Sequence, residues 1–179
     1  MLEGKLVRLR APEPADAERA RRWLNDAEVT RYLTWRYPVS SGEEVWLAQA
    51  RTADFLPLAI ETKEGEPIGA INLHRIFRED GTAGLGIIIG EKGYWSSGYG
   101  QDAVRTMLRF AFDEMNLRRV WLTVLAEHEL GIACYRKCGF VEEARLRQDV
   151  YRHGRFHDFV LMGILREEFE EEGEGGRDA

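Results

Sequence analysis

The sequence predicts a mixed α/β domain in which a single sheet of about seven strands is flanked by helices. Short apolar runs rich in β-branched residues alternate with helix-periodic segments, in the order β-α-α-β-β-β-α-β-α-β-β. Tight turns precede the central strand and predict antiparallel pairing, whereas the helix after it should make it parallel to the next strand. The 179 residues fit one domain over 1–168 and an acidic, glycine-rich tail over 169–179 that we expect to be disordered.

The first half of the chain predicts one strand, two helices and a hairpin. Alternating apolar and charged residues over 5–10 are typical of a half-buried strand. Asp16 is a good N-cap for the next helix, and Ser41 to Glu44 has the spacing of a capping box. The predicted elements are a strand at 5–10, a helix from Asp16 that carries Ala17, Ala20, Trp23 and Leu24, an aromatic loop at 34–38, a helix over 41–50, and strands at 55–61 and 67–74.

The second half predicts the central strand, two more helices and a closing hairpin. From Val104 onward, apolar residues recur at helical spacing and give the central helix one apolar face. Gly139 can end a short helix over 130–138, and His153-Gly154 can form a two-residue hairpin turn. The predicted elements are a strand at 84–90, a helix at 101–115, a strand at 119–124, a helix at 130–138, and strands at 141–151 and 156–165.

A glycine-rich stretch, Gly93–Gly100, joins the central strand to the central helix. Gly98 and Gly100 let a ligand approach the backbone, and the N–H groups of the first helical turn point into the stretch. With the positive end of the helix dipole behind them, these groups predict a phosphate or pyrophosphate site. No Gly-Lys-Ser/Thr follows, so the stretch is not a P-loop, and it matches the Rossmann fingerprint only in part. A glycine-rich turn without a ligand is the alternative.

Composition and charge argue against several classes of protein. The net charge of -6 disfavours a general nucleic-acid binder. No apolar run approaches the roughly 20 residues of a membrane span, and the N-terminus lacks a signal-peptide core, so we expect a cytoplasmic protein without a membrane partner. Cys134 and Cys138 are too few for a zinc site, so we expect them to pack and no metal to bind. A homodimer is left open.

Three motifs carry a resemblance to a known family. Trp95–Ala103 reads W-S-S-G-Y-G-Q-D-A, Tyr135–Phe140 reads Y-R-K-C-G-F, and residues 146–168 form a hairpin pattern that ends in L-R-E-E. In these motifs the chain is similar to GNAT-fold N-acetyltransferases, and among them it resembles the ribosomal-protein alanine N-acetyltransferases. The resemblance covers most of the chain. It implies the GNAT fold and transfer of an acetyl group from acetyl-CoA to a primary amine.

The resemblance also implies where acetyl-CoA binds. Its arm would hydrogen-bond to the backbone of the central strand, and its pyrophosphate would rest on N–H groups of the glycine-rich stretch. Two positions depart from the wider family: Trp95 stands where Gln or Arg is frequent, and His128 stands where an Asn commonly touches the cofactor arm. The cofactor-binding residues implied in this way are Ile87, Ile88, Ile89, Trp95, Ser96, Ser97, Gly98, Tyr99, Gly100 and His128.

The transfer needs an acid for the departing thiolate and an amine in its neutral form. Tyr135 is the candidate acid, because an ordinary tyrosine pKa of about 10 keeps the hydroxyl protonated. An aromatic that only packs against the sheet is the alternative reading. The central strand 84–90 contains no carboxylate, so the base is open. Glu91 could act through water, His74 and His128 titrate in the useful range, and an ordered water chain could replace all three.

The acceptor should enter opposite the cofactor, between the aromatic loop and the final hairpin. The predicted acceptor-binding residues are Trp35, Arg36, Tyr37, His74 and Arg155, with Tyr151, Arg152 and Phe156 as further wall. The leading hypothesis for the acceptor is the α-amino group of a protein N-terminus, which could be ribosomal. A small amine, such as a polyamine, amino acid or antibiotic, is the second hypothesis. A non-catalytic acyl-CoA-binding module is the third.

Overall fold

The computed structural model describes residues 1–34, 37–40 and 51–169. The strands of this part are β1 Leu2–Glu3, β2 Val7–Arg10, β3 Phe55–Thr62, β4 Pro67–Phe77, β5 Thr82–Ile89, β6 Arg119–Leu125, β7 Val141–Arg152 and β8 Arg155–Leu165. They form one mixed sheet of eight strands in the order β1-β2-β3-β4-β5-β6-β8-β7. The predicted single mixed sheet is confirmed. Its additional strand is β1, whose two residues are too few to show a periodicity.

Three α-helices have bounds within the described residues: α1 Asp16–Leu24, α2 Tyr99–Arg109 and α3 Glu129–Lys137. A 3₁₀ turn, Lys92–Tyr94, precedes α2, and a π-helical turn, Phe110–Glu114, continues it. The helix predicted over 41–50 and the tail from 170 onward lie outside the described residues. In the part of the chain that is described, no helix is long and apolar enough to cross a membrane.

The two faces of the sheet are covered by different helices. Buried Met107 of α2 lies in the main core, where Ile87 and Ile89 of β5 also pack. Buried Trp23 of α1 lies in a separate cluster that Ile88 joins. Successive residues of β5 therefore point to opposite faces, as the period of a strand requires. We call the side of Ile87 and Ile89 the α2 face, and the side of Ile88 the α1 face.

β5 and β6 run parallel, as the crossover helix predicted, but they pair over only three positions. Gly84 with Trp121 is the last of these pairs. Beyond it, β5 stays paired with β4 as far as Ile89, and β6 stays paired with β8 as far as Leu125. The two strands must therefore part. A gap opens between residues 85–89 and 122–125, directly before the glycine-rich stretch.

Candidate active site

The edge of β5 that faces the gap has backbone groups with no neighbouring strand. In an antiparallel pair, alternate residues direct their N–H and C=O groups toward the partner strand. Gly90 N–H donates to Ile68 O at 2.8 Å, so Gly90 and, two residues earlier, Ile88 face β4. Ile87 and Ile89 therefore direct their backbone groups into the gap, where an extended ligand could pair like an added strand. Of the three predicted residues, only Ile88 has its backbone engaged with β4.

The glycine-rich stretch turns from β5 into α2 through two residues in the left-handed region. Ser96 has a φ of 57° and Gly98 a φ of 89°. Gly98 is the N-cap of α2 and has no side chain that could cap the helix. The first helical hydrogen bond runs from Asp102 N–H to Gly98 O at 2.9 Å. The helix thus begins two residues before its predicted start. Because the first turn lacks acceptors of its own, the N–H groups of Tyr99 and Gly100 can hold an anion.

Trp95 ties the glycine-rich stretch to the end of β5. Its indole N–H donates to Ile89 O at 2.7 Å, and Ser97 Oγ donates to Trp95 O at 3.1 Å. Ile89 O is one of the acceptors that face the gap, so Trp95 ends the row of carbonyls that β5 offers to a ligand. The observed contact positions the stretch. A direct contact between Trp95 and the cofactor stays a prediction.

Asp102 holds the first turn of α2 in place, a role that the sequence reasoning missed. Its carboxylate accepts the N–H groups of Lys5 at 3.0 Å, Leu6 at 2.6 Å and Val7 at 3.0 Å. A Cβ at Gly4 would lie 2.5 Å from Asp102 Oδ2, so the turn needs glycine there. The motif contains this acidic residue, but its partner Lys5 is 97 positions away, and local patterns cannot reveal such a pair.

Tyr135 lies on α3 and is half-buried beside the main core. Its ring meets Phe140 edge to face, with the two centroids 6.0 Å apart. Burial, with smaller contributions from the thiols of Cys134 and Cys138, raises the pKa of Tyr135 above its ordinary 10.0. The phenol is therefore protonated at neutral pH and can donate a proton, which is what the predicted acid requires.

Glu91 and His128, two of the predicted bases, are both engaged with the α1 segment. Glu91 Oε1 accepts the indole N–H of Trp23 at 3.1 Å and lies 3.8 Å from Arg22 Nη2. His128 is the N-cap of α3, and its ring stacks on Tyr32, in the loop after α1, with centroids 4.2 Å apart. Burial lowers the pKa of His128 below its ordinary 6.5. Both side chains thus hold α1 and its loop to the rest of the domain.

His74, the third predicted base, lies on the α1 face above the last residue pair before the gap. A Cβ at Gly84 would lie 2.4 Å from His74 Nε2, so the ring covers this glycine. The ring meets Trp121 edge to face at 5.5 Å, and Asn72 Oδ1 lies 3.1 Å from His74 Nδ1. Burial, followed by the nearby Arg75, lowers the pKa of His74 below its ordinary 6.5. The ring is therefore neutral at neutral pH.

On the predicted acceptor side, the tip of the β7–β8 hairpin is joined to the loop after α1. The tip is the predicted two-residue turn, with φ values of 49° at His153 and 80° at Gly154. Arg152 is buried and donates to the carbonyls of Thr30 and Leu33. Arg152, predicted as a further wall of the acceptor side, thus uses its guanidinium to hold the loop after α1.

The other predicted acceptor residues are placed unevenly. Trp35 and Arg36 lie outside the described residues. Tyr37 is exposed, and so is Arg155, whose Nη2 lies 3.1 Å from Glu127 Oε1. The wall residues Tyr151 and Phe156 form an exposed edge-to-face pair at the hairpin tip, with centroids 5.1 Å apart. The hairpin thus contributes an aromatic pair and a cation to the predicted acceptor side.

The gap and the glycine-rich stretch together fit acetyl-CoA. The gap offers backbone groups of β5 to an extended amide arm, and the start of α2 offers N–H groups to a pyrophosphate. A Cβ at Gly100 would lie 3.6 Å from Ile89 Cγ1, so this glycine sits where the stretch meets the end of β5. Within residues 1–34, 37–40 and 51–169, no group of three or more His, Cys, Asp or Glu side chains is placed to hold a metal ion.

The acetyltransferase (GNAT) domain family matches residues 7–141 of this chain. An uncharacterised N-acetyltransferase derived from the SPbeta prophage of Bacillus subtilis is 28% identical over 169 residues, covering 93% of this chain and 94% of the relative. A Bacillus subtilis protein provisionally named as a ribosomal N-acetyltransferase is 27% identical over 175 residues, with the same coverage of 93% and 94%. Spermidine N(1)-acetyltransferase of Escherichia coli K12 is 27% identical over 172 residues, covering 91% and 88%.

A solved structure of similar fold is that of spermidine N-acetyltransferase from Vibrio cholerae in complex with CoA and spermine. It matches with a TM-score of 0.84 and 25% identity, over 92% of this chain and 98% of that chain. The described fold of this chain is therefore one that holds CoA in a relative.

Proposed function

Since this chain belongs to the GNAT acetyltransferase family, we propose that it moves the acetyl group of acetyl-CoA to the α-amino group of a protein N-terminus. Acetyl-CoA-dependent N-acetyltransferase activity follows from the family and the relatives. The class of acceptor must be inferred from the charges on the α1 face and at the hairpin tip.

The observation that carries this proposal is the state of two carboxylates on the acceptor side. Glu127 Oε1 lies 2.9 Å from His157 Nδ1 and 3.1 Å from Arg155 Nη2. Glu91 is held by the indole of Trp23 and the guanidinium of Arg22. A polycation needs carboxylates that can pair with it, and these two already pair with groups of the protein. A peptide N-terminus carries one ammonium group and therefore needs fewer carboxylates than a polyamine does.

A cation at the hairpin tip supports the same acceptor. Arg155 is 68% exposed in its side chain and stands beside the exposed Tyr151–Phe156 pair. A guanidinium next to aromatic rings suits a peptide with carbonyl, carboxylate or apolar groups better than it suits a polyamine. The relative provisionally named as a ribosomal N-acetyltransferase is consistent with a protein acceptor.

The residues of this chain divide the work of the transfer. Backbone groups of Ile87 and the N–H group of Ile89 pair with the arm of acetyl-CoA, and the first-turn N–H groups of α2 hold its pyrophosphate. Bound acetyl-CoA supplies an activated acyl group. A backbone N–H that faces the gap stabilises the oxyanion, and holding the amine near the thioester supplies much of the rate. Tyr135 donates its proton to the departing sulfur, since its raised pKa keeps the phenol protonated.

A polyamine is the second candidate acceptor. It is favoured by the similarity to spermidine N-acetyltransferases, one of them solved with CoA and spermine. A polyamine would have to displace protein cations from Glu91 or Glu127, and screening makes such exchange feasible at exposed sites.

Comparing acceptors directly separates the two candidates. Acetyl-CoA turnover is measured with a peptide carrying a free α-amine, with the same peptide blocked at its N-terminus but containing an internal lysine, and with spermidine. We expect kcat/KM to be highest for the free peptide, with the acetyl group located on its α-nitrogen by mass spectrometry. Arg155→Glu should lower kcat/KM for an acidic peptide and raise it for spermidine. Higher kcat/KM for spermidine than for every peptide would overturn the protein acceptor.

A further inference from the structure

A polar pair stands on the sheet at the point where β5 and β6 part. Gly84 and Gly86 leave the α1 face of β5 without side chains, and two residues of β4 lie over them. His74 covers Gly84, and a Cβ at Gly86 would lie 3.1 Å from Asn72 Nδ2. Trp121, the β6 partner of Gly84, borders the histidine ring at 5.5 Å. Two glycines thus make room for an imidazole and an amide beside the gap.

A distortion of β4 begins directly after this histidine. The register of β4 against β5 shifts between His74 and Phe77, and Arg75 has a φ of 47°. A non-glycine residue in the left-handed region is uncommon, and such residues cluster at functional sites. Bulges next to active sites change the direction of neighbouring side chains. His74 still pairs in register with Gly84, so it is the last regular residue of β4 before the bulge.

The contact with Asn72 fixes which nitrogen of the ring carries the proton. An amide oxygen can only accept, and Asn72 Oδ1 lies 3.1 Å from His74 Nδ1. In the neutral ring Nδ1 therefore carries the hydrogen, and Nε2 keeps its lone pair. Nε2 is also the ring atom nearest to Gly84. The atom that can accept a proton is thus the one that lies over Gly84, the last residue of β5 that pairs with β6 before the gap.

We propose that His74, positioned by Asn72, is the general base of the acetyl transfer. The inference rests on the N-acetyltransferase reaction of the proposed function, and it holds for either class of acceptor. Glu91 is held by Trp23 and Arg22, and the His128 ring is stacked on Tyr32. His74 is half-buried, so solvent can carry away the protons that it accepts.

The proton balance of the step assigns work to two side chains. An amine that enters as an ammonium carries three protons. His74 Nε2 removes one and passes it to water. As the C–N bond forms and the C–S bond breaks, His74 removes a second proton from nitrogen while Tyr135 gives its own to sulfur. The proton on His74 returns to Tyr135 through water, so each transfer yields one amide, one thiol and one proton in solution.

The first test replaces the base. His74→Gln should lower kcat at neutral pH by about 10²–10⁴-fold, which is the usual contribution of a general base. Its affinity for acetyl-CoA, measured by calorimetry, should match that of the wild type, because His74 lies on the α1 face. Arg78→Gln, in the exposed turn after β4, is the matched control and should change neither quantity. A His74→Gln variant that is folded and keeps wild-type kcat overturns the proposal.

The second test moves the pKa of the base without removing it. Burial, followed by the positive charge of Arg75, lowers the pKa of His74. Asn72→Asp would place a carboxylate on Nδ1 and stabilise the imidazolium. The acid limb of kcat should therefore shift to higher pH, and NMR titration of the His74 ring in the ligand-free enzyme should shift the same way. If the NMR titration of the His74 ring shifts while the acid limb of the kcat–pH profile does not, the proposal is overturned.

A third measurement separates a base from a structural histidine and does not depend on the natural acceptor. With a fluorinated primary amine whose pKa lies below the assay pH, the amine is already neutral. The loss of kcat caused by His74→Gln should then be smaller with the fluorinated amine than with an ordinary amine. A purely structural defect would lower kcat equally for both amines. Nitrogen NMR of the free enzyme should show the hydrogen on Nδ1, and a hydrogen on Nε2 overturns the role of Asn72. If spermidine proves to be the acceptor, these outcomes still decide the role of His74.

Discussion

The predicted cofactor side and the predicted acceptor side of β5 are built from different parts of the chain. The cofactor side uses backbone groups of one continuous segment, from Ile87 through the glycine-rich stretch to the start of α2. The predicted acceptor side uses side chains from distant segments, among them Tyr32, His74 and Arg155. Recognition by backbone requires glycine and left-handed residues, which leave a motif in the sequence. Recognition by assembled side chains leaves no local pattern.

Each side is nevertheless fixed by one charged residue that binds distant backbone. On the cofactor side, Asp102 accepts N–H groups of residues 5–7. On the acceptor side, Arg152 donates to the carbonyls of Thr30 and Leu33. A carboxylate can satisfy donors only, and a guanidinium can satisfy acceptors only. The comparison shows that a charged residue near an active site can serve the backbone that shapes the site.

The largest effect should come from replacing Tyr135, the proposed acid. Tyr135→Phe should lower kcat by about 10²–10⁴-fold, because the departing thiolate loses its proton donor. The affinity for acetyl-CoA should change little, since the ring and its contact with Phe140 are kept. Steady-state kinetics with calorimetry checks both quantities. Turnover equal to the wild type would leave Tyr135 as an aromatic that packs against the core.

A smaller effect should follow from filling the cofactor side at Gly100. Gly100→Val should raise the Kd for acetyl-CoA by about 10–100-fold, or roughly 1.4–2.8 kcal/mol, because a branched side chain obstructs the junction of β5 and α2. The fold should survive, since a Cβ there would meet only ordinary contact at 3.6 Å. Gly93→Val is the matched control, because a Cβ at Gly93 has nothing within 4 Å. Equal affinities for the two variants would contradict the proposed cofactor site.

The contrast between one continuous segment and side chains from distant segments also determines how much of the structure the sequence predicts. Within the described residues, the order of the elements after β1, the parallel pair β5–β6 and the turn at His153-Gly154 were predicted, because local periodicity and turn chemistry determine them. The length of that parallel pairing was not predictable. Three pairs followed by a gap depend on how two neighbouring strands twist apart, and no local pattern encodes this. The burial of Arg152 was missed for the same reason, because its partners lie more than 100 residues away.

The carboxylate of Asp102, which holds the N–H groups of residues 5–7, can be removed by a single substitution. Asp102→Ala leaves the N–H groups of Lys5, Leu6 and Val7 without their acceptor and should cost about 1–3 kcal/mol of unfolding free energy. Leu6 borders Gly98, since a Cβ at that glycine would lie 3.4 Å from Leu6 Cδ1. We therefore expect KM for acetyl-CoA to rise while kcat changes less. Urea unfolding and steady-state kinetics measure the two effects, and an unchanged stability would show that water replaces the carboxylate.

His128 stands where the two sides meet. It begins α3, the helix of Tyr135, yet its ring lies on Tyr32 of the acceptor-side loop at 4.2 Å and an angle of 9°. The Arg31 guanidinium lies 5.4 Å from the centroid of the same Tyr32 ring. A Cβ at Gly131 would lie 2.3 Å from His128 Cδ2, so the first turn of α3 makes room for this ring. The resemblance assigns the position to the cofactor, whereas the contacts connect it to the loop.

The smallest effect should decide between these two roles. His128→Ala should lose about 0.5–1.5 kcal/mol of unfolding free energy at about pH 8, because it loses the stacked pair, whereas His128→Phe should keep most of it. Burial lowers the pKa of His128 in the folded state. The unfolded chain therefore binds more protons below about pH 6.5, so this residue's contribution to stability is complete above that pH and falls as the pH drops. His128→Phe should lose less stability than the wild type between about pH 8 and pH 5.5 in urea unfolding. If His128→Asn binds acetyl-CoA more tightly at unchanged stability, the cofactor role is right and the stack is incidental.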